Sequence, residues 1–188
     1  MRKQPVFSTL LKKDHLAGIQ RRMLNDVEPY MKLIDDFARN GKTMGVWSLA
    51  RMLFPIIESV AEVIYPRHGA DRSPESKLLK QLGIRCPVLV WHMYRNSLMH
   101  NDCLQRVLYR KQEISWSISA SGSAYHTFKN NQIHIDIKRL YSDLKSFLSL
   151  AIDQADPDET IELQTAVNLF DPLKPAIQNE LFTVNQPS

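Results

Sequence analysis

Between Thr43 and Tyr65 the residues Val46, Ala50, Leu53, Ile57, Val60 or Ala61, and Ile64 recur every three or four positions. That period places them on one side of an α-helix, so the segment reads as a long helix with a single buried stripe. Pro55 falls inside it, and because the apolar period continues past the proline, a kink is expected rather than a stop.

The rest of the chain is organised around that helix. Ser8 reads as an N-cap, followed by Leu10, Leu11, Ile19, Met23, Leu24 and Val27 at roughly helical spacing. Pro29 restarts the helix, with Met31, Leu33, Ile34 and Phe37 as its apolar side, and Asn40-Gly41 stops it. Residues 66–73 are a loop by composition. Ser73-Pro74-Glu75 has the form of an N-cap, a first-turn proline and a first-turn acid, for a short helix through Leu82 that Gly83 ends. Pro87 opens another helix, expected from about Val88 to His100.

After Leu104 the period changes. Glu113–Ser119 alternates apolar and polar residues, as does Asn131–Ile137, and Ser121-Gly122-Ser123 is a turn signal. Paired, these segments make a small antiparallel β-hairpin, with residues 125–128 as a further strand or a loop. Leu140, Leu144, Phe147, Leu148 and Ile152 return to helical spacing until Asp156-Pro157-Asp158 breaks it. The expected organisation is a mainly α helical bundle over residues 1–156, with the hairpin inserted at about 104–137. An acidic, proline-containing tail occupies 157–188.

Composition narrows the function classes. With 44% hydrophobic and 23% charged residues, the 188-residue chain has globular proportions and length for one domain with its own core. Two cysteines, Cys86 and Cys103, are too few for a disulfide scaffold, and no Cys-x-x-Cys or close His pair suggests zinc. The apolar stretch Val6–Leu11 is too short for a signal-peptide core, and no window is long enough to span a membrane. A cytoplasmic protein is expected, with no cofactor and no metal. Residues 1–25 carry six Lys/Arg against one Asp; residues 26–150 carry 17 basic and 12 acidic; residues 151–188 carry one Lys against seven acids. The basic body favours an anionic partner such as nucleic acid, although a solvated surface with an acidic end has the same arithmetic.

The densest set of chemical groups is the stretch from Trp91 to Asp102, where Arg95, Asn96, His92 and His100 interrupt an apolar helix. At about 100° per residue, Asn96 and His100 share a face, whereas Arg95 and His100 diverge by about 140°. An arginine fork suits phosphate, and a histidine moves protons near neutral pH. Together they supply what cleavage of a phosphodiester by a neighbouring 2′-OH requires. Structural roles use the same residues: Arg95 paired with Glu58 or Glu62, His100 and Asn101 closing the helix, and His92 packed beside Trp91.

Arg95-Asn96-Ser97-Leu98-Met99-His100 resembles the Arg-x4–6-His signature of HEPN domains (higher eukaryotes and prokaryotes nucleotide-binding), including the polar residue directly after the arginine. The motif's place at the end of a helix in an all-α core is similar too, and the resemblance covers about residues 8–155. It implies a HEPN-like bundle and a metal-independent endoribonuclease. In that reading His100 transfers the proton, Arg95 binds the scissile phosphate and Asn96 orients one of them. It also implies a homodimer with a composite cleft, RNA as substrate, and an antitoxin or nucleotidyltransferase-type protein among candidate partners. Some such domains are toxins or host-defence components, and others only bind or scaffold.

Remaining signals are weaker. The chain contains no phosphate-binding glycine loop, no Gly-x-Ser-x-Gly and no His-Glu-x-x-His. His126 and His134 flank the expected hairpin and make a poor metal site by themselves. Trp116, Tyr125 and Phe128 have the chemistry to stack bases, but core packing is the commoner use of such residues.

Overall fold

A computed structural model describes residues 6–40, 44–65, 73–96, 107–109, 112–122 and 126–165. The described fold is mainly α, with a two-stranded ribbon and a four-stranded sheet.

The N-terminal helix begins later than its leucines suggest. Val6–Leu11 is a strand, β1, and α1 runs over Lys12–Arg22. Leu10 and Leu11, expected on a buried helix face, are each 41% exposed. Their partner strand is β6, Thr160–Thr165, antiparallel from Val6↔Thr165 to Leu11↔Thr160. Lys12 closes the ribbon: its N–H donates to the Glu159 carbonyl at 2.8 Å and its Nζ pairs with Glu159 Oε1 at 2.9 Å. The first residues of the acidic tail are thereby bound to the basic N-terminal segment. Residues 166–188 lie outside the described residues.

From α1 the helix continues without a break through a wider π-type turn, Met23–Val27, into α2, Glu28–Arg39. Pro29 sits in the first turn of α2. A proline has no N–H and its ring crowds the carbonyl four residues back, and a π-type turn absorbs both without ending the helix. Leu16, Ile19, Met23, Val27 and Ile34 are buried, whereas Leu33 is exposed.

The expected stripe is the buried face of α3, Val46–Ile64, where Ala50, Leu53, Ile57, Val60 and Ala61 are fully buried and Pro55 lies within the helix. Gly45 precedes it at φ +82°, and a Cβ there would stand 2.9 Å from Tyr30 Oη and 3.2 Å from Ile34 Cγ1. Backbone conformation and close approach to α2 both require glycine at that position.

Helix α4, Pro74–Gln81, starts as expected: Ser73 Oγ accepts from the Ser76 N–H at 3.2 Å. Its buried Leu78 and Leu79 face the core. Pro87–Val90 is a single α-turn, α5, which passes into a second π-type turn, Trp91–Asn96.

The sheet corrects the expected hairpin. Its order is β2 (Val107–Tyr109), β3 (Gln112–Ser119), β5 (Gln132–Asp136), β4 (Thr127–Lys129). The two alternating segments, β3 and β5, are neighbours but run parallel, with Trp116↔Ile133 and Ile118↔Ile135 in register. The antiparallel hairpin is instead β4–β5, turned by Asn130 and Asn131 at φ +51° and +56°. With β4 as the return strand, β5 emerges in the direction of β3. Ile133 and Ile135 are buried against the helices. The last helix, α6, Ile137–Gln154, packs on α1 and α3 through Leu140, Leu144 and Leu148. No described helix is long and apolar enough to cross a membrane.

Candidate functional site

The segment leading into the Arg95–His100 motif is held by an aromatic chain. Tyr94 is fully buried, stacks on Phe54 at 5.9 Å with rings 4° from parallel, and meets Trp116 of β3 edge-on at 5.1 Å. Trp91 lies 6.0 Å from Phe54, and Trp47 stands perpendicular to Trp116 at 4.9 Å. Val90 and Met93 are buried beside them. Trp116 is thus a packing residue rather than an exposed stacking platform. Phe128 is partly buried against the same core, and Tyr125 lies outside the described residues.

Arg95 and Asn96 are the last two positions of the π-type turn, and Asn96 falls one turn after His92, whose side chain is exposed. Ser97 to His100 lie outside the described residues. The backbone of the motif's first two positions is therefore located, immediately after two buried anchors. Widened π-type turns of this kind occur frequently at functional sites.

A second polar constellation was not singled out from the sequence. On the face of the parallel pair turned away from Ile133 and Ile135, Ser117 stands opposite His134 and Ser119 opposite Asp136, which is itself fully buried. Ser117 Oγ is 2.8 Å from His134 Nδ1 and Ser119 Oγ is 3.1 Å from His134 Nε2. Ser119 Oγ also donates to Asp136 Oδ2 at 2.9 Å. Asp136 further accepts from the Ser121 and Gly122 amides at 3.0 Å, and from the Arg139 amide at 3.0 Å as the N-cap of α6. Burial alone would raise the pKa of Asp136. The hydrogen bonds from Ser121, Arg139 N, Ser119 and Gly122 N outweigh burial and hold it below the ordinary value, so the carboxylate is ionised. The serine–aspartate alternation is visible in the sequence, but only parallel pairing places each Ser beside its partner.

His126 and His134 do not form a pair. His134 sits among the serines, whereas His126 is buried and lines a cleft of about 410 Å³ with Leu82, Gly83, Arg139, Asp143 and Phe147. Among the described residues, neither ring nitrogen of His126 has a hydrogen-bond partner. Desolvation lowers its pKa, against the opposing pull of Asp143 and Asp136. Among the described residues no group of three or more His, Cys, Asp or Glu could hold a metal ion.

No protein-family model, no curated protein and no solved structure matches this chain.

Proposed function

We propose that this chain is a HEPN-type, metal-independent endoribonuclease that acts as a homodimer on RNA. The observation that carries the reading is the anchoring of Arg95 and Asn96: they close a π-type turn whose preceding residues, Met93 and Tyr94, are locked into the core. A catalytic arginine gains from such a base, because a positioned donor is worth more at a developing phosphorane charge than a mobile one. The basic balance of residues 1–150 supports an anionic substrate.

In this mechanism His100 takes the proton from the ribose 2′-OH as that oxygen attacks the adjacent phosphorus. Arg95 stabilises the charge that gathers on the phosphoryl oxygens, and Asn96 orients one of these groups. The 5′-oxygen leaves with a proton, and the product ends in a cyclic 2′,3′-phosphate. A second protomer completes the site, as the HEPN resemblance implies.

The test is incubation of the purified protein with a mixed RNA pool in excess EDTA. The expected result is cleavage that survives EDTA, fails on DNA, and falls about 10²–10⁴-fold in His100→Ala. Arg95→Lys keeps the charge but loses the fork, and is expected to be impaired. Cleavage that requires magnesium, or that persists at full rate in His100→Ala, would overturn the mechanism. Salt-sensitive RNA binding with no cleavage would point to a binding module instead.

A further inference from the structure

With His134 neutral, one arrangement of protons makes every contact among Ser117, His134, Ser119 and Asp136 a hydrogen bond. Asp136 is a carboxylate and only accepts, so the Ser119 hydroxyl proton is committed to it. Toward His134 Nε2 the same Ser119 oxygen has only lone pairs left, so Nε2 must carry the ring proton. In the neutral ring Nδ1 is then the acceptor, and the group facing it at 2.8 Å is the Ser117 hydroxyl. Hydrogen bonds thus run in one direction, from Ser117 through His134 and Ser119 to Asp136.

We propose that Ser117 is a reactive nucleophile with His134 as its general base, positioned to take an acyl or phosphoryl group from an activated ester. Ser119 and Asp136 are positioning residues: they fix the ring's tautomer and orientation. In the step itself the Ser117 Oγ–H proton passes to Nδ1 as Oγ bonds to the carbonyl carbon or phosphorus. The ester oxygen departs and receives that proton from Nδ1. No redox change occurs and no further reactant is needed. Ser117 and His134 are half-buried, so each keeps some surface open to solvent. The inference is independent of the RNA-cleavage reading, which uses other residues.

Ser115 provides an internal control. It lies on the same face two residues earlier, is also half-buried, and stands opposite Gln132 rather than a histidine. The intact protein is treated with a fluorophosphonate, which forms a seryl phosphonate by expelling fluoride, and peptide mapping by mass spectrometry locates the adduct. Ser117 is expected to react at least about 100-fold faster than Ser115, the low end of what a positioned general base contributes. His134→Gln should reduce the labelling of Ser117 by a similar factor. Nitrogen NMR of the unmodified protein should show His134 as the Nε2–H tautomer. Equal labelling of Ser115 and Ser117, no adduct at Ser117, or a Nδ1–H tautomer would each overturn the proposal. The wild-type mapping and tautomer decide it even where a variant fails to fold.

Discussion

The Tyr94 hydroxyl donates to the Ser117 carbonyl at 3.1 Å, with the Ile133 carbonyl as a second acceptor at 3.4 Å. One phenol thereby ties the residue before Arg95 to both strands of the parallel pair. Burial pushes the Tyr94 pKa far above its ordinary value, so the group remains a donor throughout the accessible pH range. The same side chain stacks on Phe54, so packing and hydrogen bonding hold the π-type turn in one position.

Tyr94→Phe separates those two contributions. The ring stays and the donor goes, with an expected cost of about 1–1.5 kcal/mol, a lowering of Tm by roughly 2–5 °C. Tyr94→Ala removes the ring as well and should cost about 3–5 kcal/mol. Urea unfolding at neutral pH measures both; a Tyr94→Phe protein as stable as wild type would show the bond to contribute nothing.

Asp136 accepts from Ser119, Ser121, Gly122 and Arg139, joining the end of β5, the start of α6 and the segment after β3. Asp136→Asn replaces one acceptor oxygen by a donor that faces other donors. The expected loss is about 2–3 kcal/mol at pH 7, combining a weakened cap with unsatisfied amides. Because the folded pKa is depressed, the contribution of the carboxylate is full above its unfolded value of 3.8 and is lost as the pH falls through the lower folded value. The gap between wild type and Asp136→Asn should therefore narrow in acid, as read from urea midpoints at pH 7 and pH 3.

What was legible in the sequence follows from the range of the forces that write it. The α3 stripe and the Ser73-Pro74-Glu75 helix start are local: each depends on residues within about two turns, and both form as read. Alternation identified β3 and β5 as strands, but direction of pairing is non-local, and nothing in either segment distinguishes parallel from antiparallel neighbours. Leu10 and Leu11 fit a helical period by chance, and only their pairing with β6, some 150 positions away, makes them extended. At the candidate site, Arg95 and Asn96 stand out by residue type alone, whereas the Ser117–His134 contact exists only through the parallel register.

The Asn130–Asn131 turn should have signalled the true hairpin, since asparagine tolerates positive φ better than other non-glycine residues. Asn131→Gly retains the conformation and is expected to change stability by no more than about 0.5 kcal/mol. Asn131→Val forces a β-branched residue into the left-handed region and should cost about 1–2 kcal/mol. Unfolding midpoints of the two variants check the turn, and equal effects would contradict the positive φ at this position.

His126 is expected to make folding sensitive to mild acid. The residue is 9% exposed, neither ring nitrogen has a hydrogen-bond partner among the described residues, and desolvation is the largest influence lowering its pKa. Asp143 and Asp136 pull it upward, while Arg139 and His134 reinforce the lowering. The folded form therefore binds a proton less readily than the unfolded chain, whose histidine titrates near 6.5. Its contribution is fully present above that pH and is lost as pH falls toward the folded value, with a slope of at most about 1.4 kcal/mol per pH unit. His15, lowered by its own burial and by Arg22, adds a second, separate loss in the same direction. His126→Phe removes the first without touching the second, and it replaces two unpaired buried nitrogens by carbon, so it should match or exceed wild-type stability at pH 5.5. Urea midpoints at pH 7.5, 6.5 and 5.5 give the readout: the decline of wild type should be steeper than that of His126→Phe. Parallel declines would show that His126 is protonated as easily in the folded protein as in the unfolded chain.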